Sequence, residues 1–240
     1  MKRRGRALRA IGILLAAGLL SGACAAWWHA AHWEPSAQSY PVQGAWIDAR
    51  HTARDVLTLA EGGEGGKPLV RFVYATASIG ASARNDRFAE ERERAGRSGI
   101  PFGAVHQFDP CVTADRQSAN FVTLVPRDAD MLPPAVRLDA LGSDCMQPVR
   151  AAEVESELVT FLNQIEAHGG RRAVLAPTAQ FEAAYGFGAR SQRALWLAQD
   201  REEPAYAGGD WTIWTANTAY SLPDLDEPVG WLVMRGETGG

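Results

Sequence analysis

From residue 45 onward, apolar and polar positions alternate between two rhythms. Short apolar runs rich in β-branched and aromatic side chains predict strands at 45–48, 70–75, 102–108, 135–139, 172–175, 194–198 and 211–215, with 229–234 a candidate eighth. Between them lie helical patterns. Asn85 can cap a helix that runs through Arg97 and stops at Gly99, and Thr113 can cap another reaching Val125. The clearest helix is AAEVESELVTFLNQIEAHGG, whose Val154, Leu158, Phe161, Leu162 and Ile165 share one face before glycine ends it.

Repeated strand–helix alternation with mostly apolar strands predicts an α/β fold, a parallel sheet covered by helices. Six to eight such units in about 200 residues favour a closed (β/α) TIM-like barrel over an open sheet. The Gly-rich EGGEGG at 61–66 has no lysine–serine pair behind it and opens no helix, so it reads as a surface loop.

The start of the chain follows neither rhythm. Lys2, Arg3, Arg4, Arg6 and Arg9 lead into an uncharged stretch from Ala10 to Ala26, followed by Trp27, Trp28 and Trp33. This is a targeting segment, excluded from the fold. One reading is an uncleaved signal-anchor, a single-pass inner-membrane helix with the domain in the periplasm. The other is a signal peptide cleaved near Ala23-Cys24-Ala25, which releases the domain to the periplasm. The expected organisation is therefore 1–33 signal-anchor, 34–41 linker, 42–236 barrel and 237–240 flexible tail.

Charge changes the picture once that leader is removed. The remainder carries 19 basic against 28 acidic residues, a net charge near −9. A body that acidic argues against a nucleic-acid partner. Export also gives the cysteines meaning. Cys24 belongs to the leader, leaving Cys111 and Cys145 as an even pair in an oxidising compartment, and a bridge is expected. Closing a loop of that length contributes roughly 3 to 4 kcal/mol in the chain-entropy picture. Two buried thiols are the alternative. No histidine lies within ligand spacing of either cysteine, so neither a metal nor a cofactor is expected.

The stretch LPPAVRLDALGSDC at 132–145 carries the most pointed chemistry. Alternation along a strand aims Arg137 and Asp139 at the same face. Such a pair is either a catalytic pair or a salt bridge. Nothing resembling a nucleophile elbow surrounds any serine, and the five histidines are scattered.

Taken in order, YPVQG (40–44), FVYATASIG (72–80), NDRFAEERERAGRSGIPFGAVHQF (85–108), QSANFVTLVPRDADMLPPAVRLD (117–139), FLNQIEAHGG (161–170), LWLA (195–198) and WTIW (211–214) resemble glycoside hydrolase family 25. These are the N-acetylmuramidase-type lysozymes, and the likeness is strongest to their membrane-anchored Gram-negative branch. The resemblance implies a (β/α) barrel whose groove, at the C-terminal strand ends, takes a peptidoglycan glycan strand. Cysteines often stand at the places of Cys111 and Cys145 in that branch, which supports the bridge.

Muramidase chemistry needs a carboxyl that donates a proton and another that stabilises or attacks the oxocarbenium-like centre. The family supplies them with Asp-x-Glu after a double proline. Laid on this chain, the Asp falls on Arg137 and the Glu on Asp139. A neighbouring guanidinium favours the charged form of a carboxyl, the opposite of what a proton donor needs. In the first strand, QGAWIDAR, an ungapped match puts Trp46 at the family aspartate, and a two-residue shift rescues Asp48. The Lys-Ala-Thr-Glu-Gly stretch becomes Thr76 to Gly80, GAVHQF keeps only His106 among its polar groups, and the last aspartate falls on Gly230.

Candidate catalytic residues are thus Asp139 and Asp48. Candidate groove residues are Trp46, Thr76, His106, Trp214 and Asp226, the last a spare rim carboxylate beside Asp224. The tryptophans at 196, 211, 214 and 231 either stack on sugars or pack the barrel. The expected function is a lysozyme-like domain with a decayed hydrolytic centre, binding peptidoglycan or an envelope protein. The alternative is a divergent muramidase that cleaves β-1,4 links with Asp139 and either Asp48 or a rim aspartate.

Overall fold

The structure, a computed structural model, describes residue 18 and residues 20–235. The chain divides after Trp33 into two compact units. In the first, residues 20–31 form helix α1, with Leu20, Trp27 and Trp28 exposed. The Trp28 and His32 rings stack at 4.6 Å. Among the described residues no helix is long and apolar enough to cross a membrane. The expected single-pass inner-membrane placement is therefore corrected. Residues 1–17 and 19 of the expected leader, which include its basic residues and much of its apolar stretch, and the expected tail at 237–240 lie outside the described residues.

The second unit begins at Glu34. Its elements are β1 (Val42–Ile47), α2 (Ala53–Glu61), β2 (Phe72–Ile79), β3 (Ala83–Arg84), α3 (Phe88–Ser98), β4 (Phe102–Gln107), α4 (Ala114–Leu124) and β5 (Ala135–Leu138). There follow α5 (Ala151–Gly169), β6 (Val174–Pro177), α6 (Ala179–Tyr185), α7 (Phe187–Arg190), β7 (Trp196–Ala198), β8 (Ile213–Tyr220) and β9 (Val229–Met234). The sheet order is β6-β5-β4-β2-β1-β9-β8-β7, with β3 paired to β2 at the side. The two end strands meet through one parallel bridge, Leu175 to Leu195, so the sheet is a nearly closed barrel. β9 runs antiparallel to both β1 and β8, while the other barrel pairs are parallel.

Period-two alternation sorts the side chains into two layers. Phe72, Tyr74, Val105, Ala135, Val174, Trp196, Ile213 and Leu232 fill the barrel interior. Two glycines make room for its rings. A Cβ on Gly103 would lie 2.3 Å from Tyr74, and one on Gly44 would lie 2.4 Å from Phe72. The alternate positions face the helices, where the stripe of α5 (Val154, Leu158, Phe161, Leu162, Ile165) is fully buried. α5 ends at Gly170 and α3 at Gly99, both left-handed, a conformation that glycine adopts without a steric penalty.

Cys111 and Cys145 are bonded, with their Cα atoms 5.4 Å apart. The bridge ties the β4–α4 loop to the β5–α5 loop, both at the C-terminal ends of the strands.

Candidate functional site

Those strand ends form an open concavity of about 360 Å³, lined by Trp46, Asp48, Ala49, Arg50, Thr76, Ile79, Gln107 and Arg137. A smaller cleft of about 40 Å³ continues from Arg137 to Trp196 and Thr215. Strand alternation places these groups. Ala135 points into the barrel, so Arg137 and Asp139 follow on the same side at the mouth. Trp46 rises in the same way from β1 and Thr76 from β2.

Arg137 sits at the centre. Its Cζ lies 4.3 Å from the centroid of the Trp46 ring, a cation–π stack. Its Nη2 donates to Asp139 Oδ2 at 3.3 Å, and Gln107 Nε2 donates to the same oxygen at 3.2 Å. Asp139 Oδ1 is buried and has no partner among the described residues. Trp46 Nε1 donates to Thr76 Oγ1 at 3.1 Å. Across the β1–β9 ladder, Trp46 pairs with Gly230, and a Cβ there would lie 3.0 Å from Trp46 Cε3. The bare glycine therefore lets the indole settle against the barrel wall.

Asp48 is held by its own neighbour. Arg50 donates from Nε and Nη2 to its two oxygens at 2.9–3.1 Å, and the Arg50 backbone N–H adds a bond at 3.0 Å. Burial pushes the Asp48 carboxyl upward, but the side-chain and backbone hydrogen bonds from Arg50 and its charge outweigh that. The group is held below its ordinary value and stays ionised at neutral pH. Arg50 also reaches Glu227 at 2.9 Å, so both ends of its guanidinium are engaged.

Three of the expected groove residues, His106, Trp214 and Asp226, lie elsewhere. His106 is fully buried behind the sheet, its Nδ1 2.8 Å from Ser78 Oγ, its Nε2 3.2 Å from Gln117, and its ring 4.6 Å from Phe161. Val105 faces the barrel, so His106 must face the helices. Burial lowers its pKa to about 4, leaving it neutral and structural. Trp214 likewise points outward, packs edge-on against Tyr40 at 5.6 Å and donates to the Gln199 carbonyl. Trp196, Trp211 and Trp231 are also buried, which makes packing their role, although Trp196 touches the small cleft. Asp226 is exposed and lines a separate concavity with Asp224 and Glu227, joined to the mouth through Arg50. Trp46, Thr76, Asp48 and the Arg137–Asp139 pair are brought together.

Gln107, Ile79 and Tyr206 were not foreseen. A register shift in β2 between Thr76 and Ser78 turns Ser78 toward His106 and leaves Ile79 at the mouth, 42% exposed. Tyr206 closes the barrel where the strands do not pair. Its hydroxyl accepts from the Ala198 N–H at 2.9 Å and donates to the Pro177 carbonyl at 3.1 Å, linking β7 to β6 at the mouth. Tyr206→Phe is expected to cost about 1–2 kcal/mol. It should also speed exchange of the Ala198 amide, read by hydrogen exchange; unchanged protection there would remove the clasp role.

Among the described residues, no group of His, Cys, Asp and Glu could hold a metal ion.

Residues 65–225 match the model of the family described as glycosyl hydrolases family 25. Solved structures are similar in fold. A family 25 glycosyl hydrolase from Bacillus anthracis is 19% identical, with 88% of this chain and 95% of that chain covered and a TM-score of 0.71. A lysozyme from Streptomyces coelicolor is 21% identical, covering 82% and 93%, with a TM-score of 0.70. A family 25 lysozyme from Aspergillus fumigatus is 19% identical, covering 82% and 95%, with a TM-score of 0.63. A search of curated proteins finds no match.

Proposed function

The chain belongs to glycosyl hydrolases family 25, and on that premise we propose that it is a peptidoglycan-directed domain that binds glycan strands with its hydrolytic centre impaired. The observation that carries this reading is the engagement of both candidate carboxylates by arginines. Asp139 accepts from Arg137, and Asp48 is gripped by Arg50. A retaining or inverting glycosidase needs one carboxyl free to give a proton and a second facing it across the bond to be cut. Here a guanidinium stacked on Trp46 stands in the mouth beside the only carboxyl at the family's donor position. Both donors that reach Asp139, Arg137 Nη2 and Gln107 Nε2, converge on Oδ2, so the position that the family uses as a proton donor is engaged here as a hydrogen-bond acceptor.

One observation favours a divergent but active muramidase. Asp139 Oδ1 is buried without a partner among the described residues, so one oxygen of this carboxyl is not engaged by Arg137 or Gln107.

The purified protein should be incubated with purified peptidoglycan, released reducing ends measured, and retention on sacculi assayed in parallel. The expected result is retention with no release of reducing ends above background. Release that disappears in Asp139→Asn would establish the muramidase reading instead. Neither release nor retention would redirect the search to an envelope-protein partner.

A further inference from the structure

The concavity at the barrel mouth contains two cations, and they differ in what they have left to offer. Arg50 is engaged at Nε, Nη1 and Nη2 by Asp48 and Glu227, and those two carboxylates offset its charge. Arg137 makes one long hydrogen bond, 3.3 Å from Nη2 to Asp139, and its Nε and Nη1 have no protein partner among the described residues. Its side chain is 28% exposed, so these donors are within reach of solvent.

Arg137 is also fixed in place. One face rests on Trp46, and Trp46 is in turn pinned by its bond to Thr76 and by its seat against Gly230. A guanidinium immobilised on an aromatic ring loses little further freedom on binding, and its planar fork matches a carboxylate with two parallel hydrogen bonds. Around it lie Thr76 and Gln107 as neutral hydrogen-bonding groups and Ile79 as exposed apolar surface. At about 360 Å³ the space falls at the small end of ligand clefts, enough for one or two sugar rings.

We infer that the mouth is a binding site for a saccharide carrying a free carboxylate, with Arg137 as the group that reads the acid. This rests on the glycan-binding reading above and sharpens it. A sugar whose acid is free would be preferred over the same sugar with that acid esterified or absent. The body's net acidity disfavours non-specific attraction of anions, so a preference for the free acid would be local to the mouth and to Arg137, the cation there with unengaged donors.

The full chain should be titrated with N-acetylmuramic acid, its methyl ester and N-acetylglucosamine, following the indole N–H resonances by NMR. The free acid is expected to bind at least tenfold more tightly than the ester or N-acetylglucosamine. Arg137→Gln should abolish that preference, and Arg137→Lys should keep part of it through charge without the fork. The melting curve of each variant checks that the barrel still folds, and Arg137→Lys keeps the test alive if Arg137→Gln does not. Equal affinity for acid and ester would overturn the inference while leaving glycan binding intact. Binding of sacculi without any response to the three sugars would remove the mouth as the site. Failure of sacculi and sugars alike would overturn this inference together with the reading beneath it.

Discussion

Glu91→Gln is expected to stabilise the protein at pH 8 and to flatten its loss of stability above pH 5. Glu91, in the first turn of α3, has no solvent exposure. One oxygen accepts from Asn85 Nδ2 at 3.0 Å, and the other is buried without a partner among the described residues. Burial pushes its pKa to about 8, opposed by the Asn85 bond and the Arg87 charge and reinforced by Asp55 and Asp48. In the unfolded chain the group ionises near 4.5. Below that pH both states hold the proton, and the contribution of Glu91 is fully present. Between 4.5 and about 8 the unfolded state releases the proton while the folded state keeps it, so stability falls as pH rises.

Gln mimics the neutral acid and has no such slope. At pH 8 it should exceed the wild type by roughly 2–4 kcal/mol, a rise in Tm of about 5–10 °C for a domain of this size. His106, held down to about 4, makes both proteins less stable as pH falls below about 6.5, so the difference between them isolates Glu91. Denaturant unfolding at pH 5, 6, 7 and 8 provides the measurement. Parallel curves for the two proteins would show that Glu91 stays ionised in the fold. The effect reaches the mouth, because the Asn85 amide that binds Glu91 also donates to the Thr76 carbonyl in β2 at 3.1 Å.

Much of the frame could be read from the sequence because its rules are local. α5 follows from a 3.6-residue stripe and a terminal glycine, and the seven main strands from apolar runs flanked by turn residues. α2 was missed although Thr52 and Asp55 have capping-box spacing; its buried stripe is only Val56, Leu59 and Ala60. The reversal of β9 is set by the short connection 221–228, which has no room for a crossover helix.

The site was half legible. Two-residue spacing put Arg137 and Asp139 on one face, and the family pattern supplied Trp46 and Gly230. Spacing alone could not say which face of β4 or β8 looks into the barrel, and so His106 and Trp214 were placed on the wrong side. Tyr206 has no sequence signal, since its role arises only where β6 and β7 fail to pair.

The Trp46–Gly230 contact predicts why the family's acids cannot be restored one at a time. Replacing Gly230 with Asp would place a Cβ 3.0 Å from Trp46 Cε3 and a carboxylate at a position that is now buried. Overpacking and an unpaired buried charge both oppose it, and Gly230→Asp is expected to cost about 3 kcal/mol or more. Trp46→Ala should recover part of that cost by vacating the space. A double-mutant cycle on Trp46→Ala and Gly230→Asp should therefore give a coupling of about 1–3 kcal/mol. Additive costs would mean that the two positions are independent and that the indole does not depend on the glycine. Coupling has a consequence for the reaction. Arg137→Asp with Asp139→Glu would rebuild the family's Asp-x-Glu but leave Trp46 without the cation that now covers its face. That variant should still release no reducing ends from peptidoglycan, because the first and last strands would hold an indole and a bare backbone where the family has carboxylates. Hydrolysis by it would show instead that Arg137 alone blocks the chemistry.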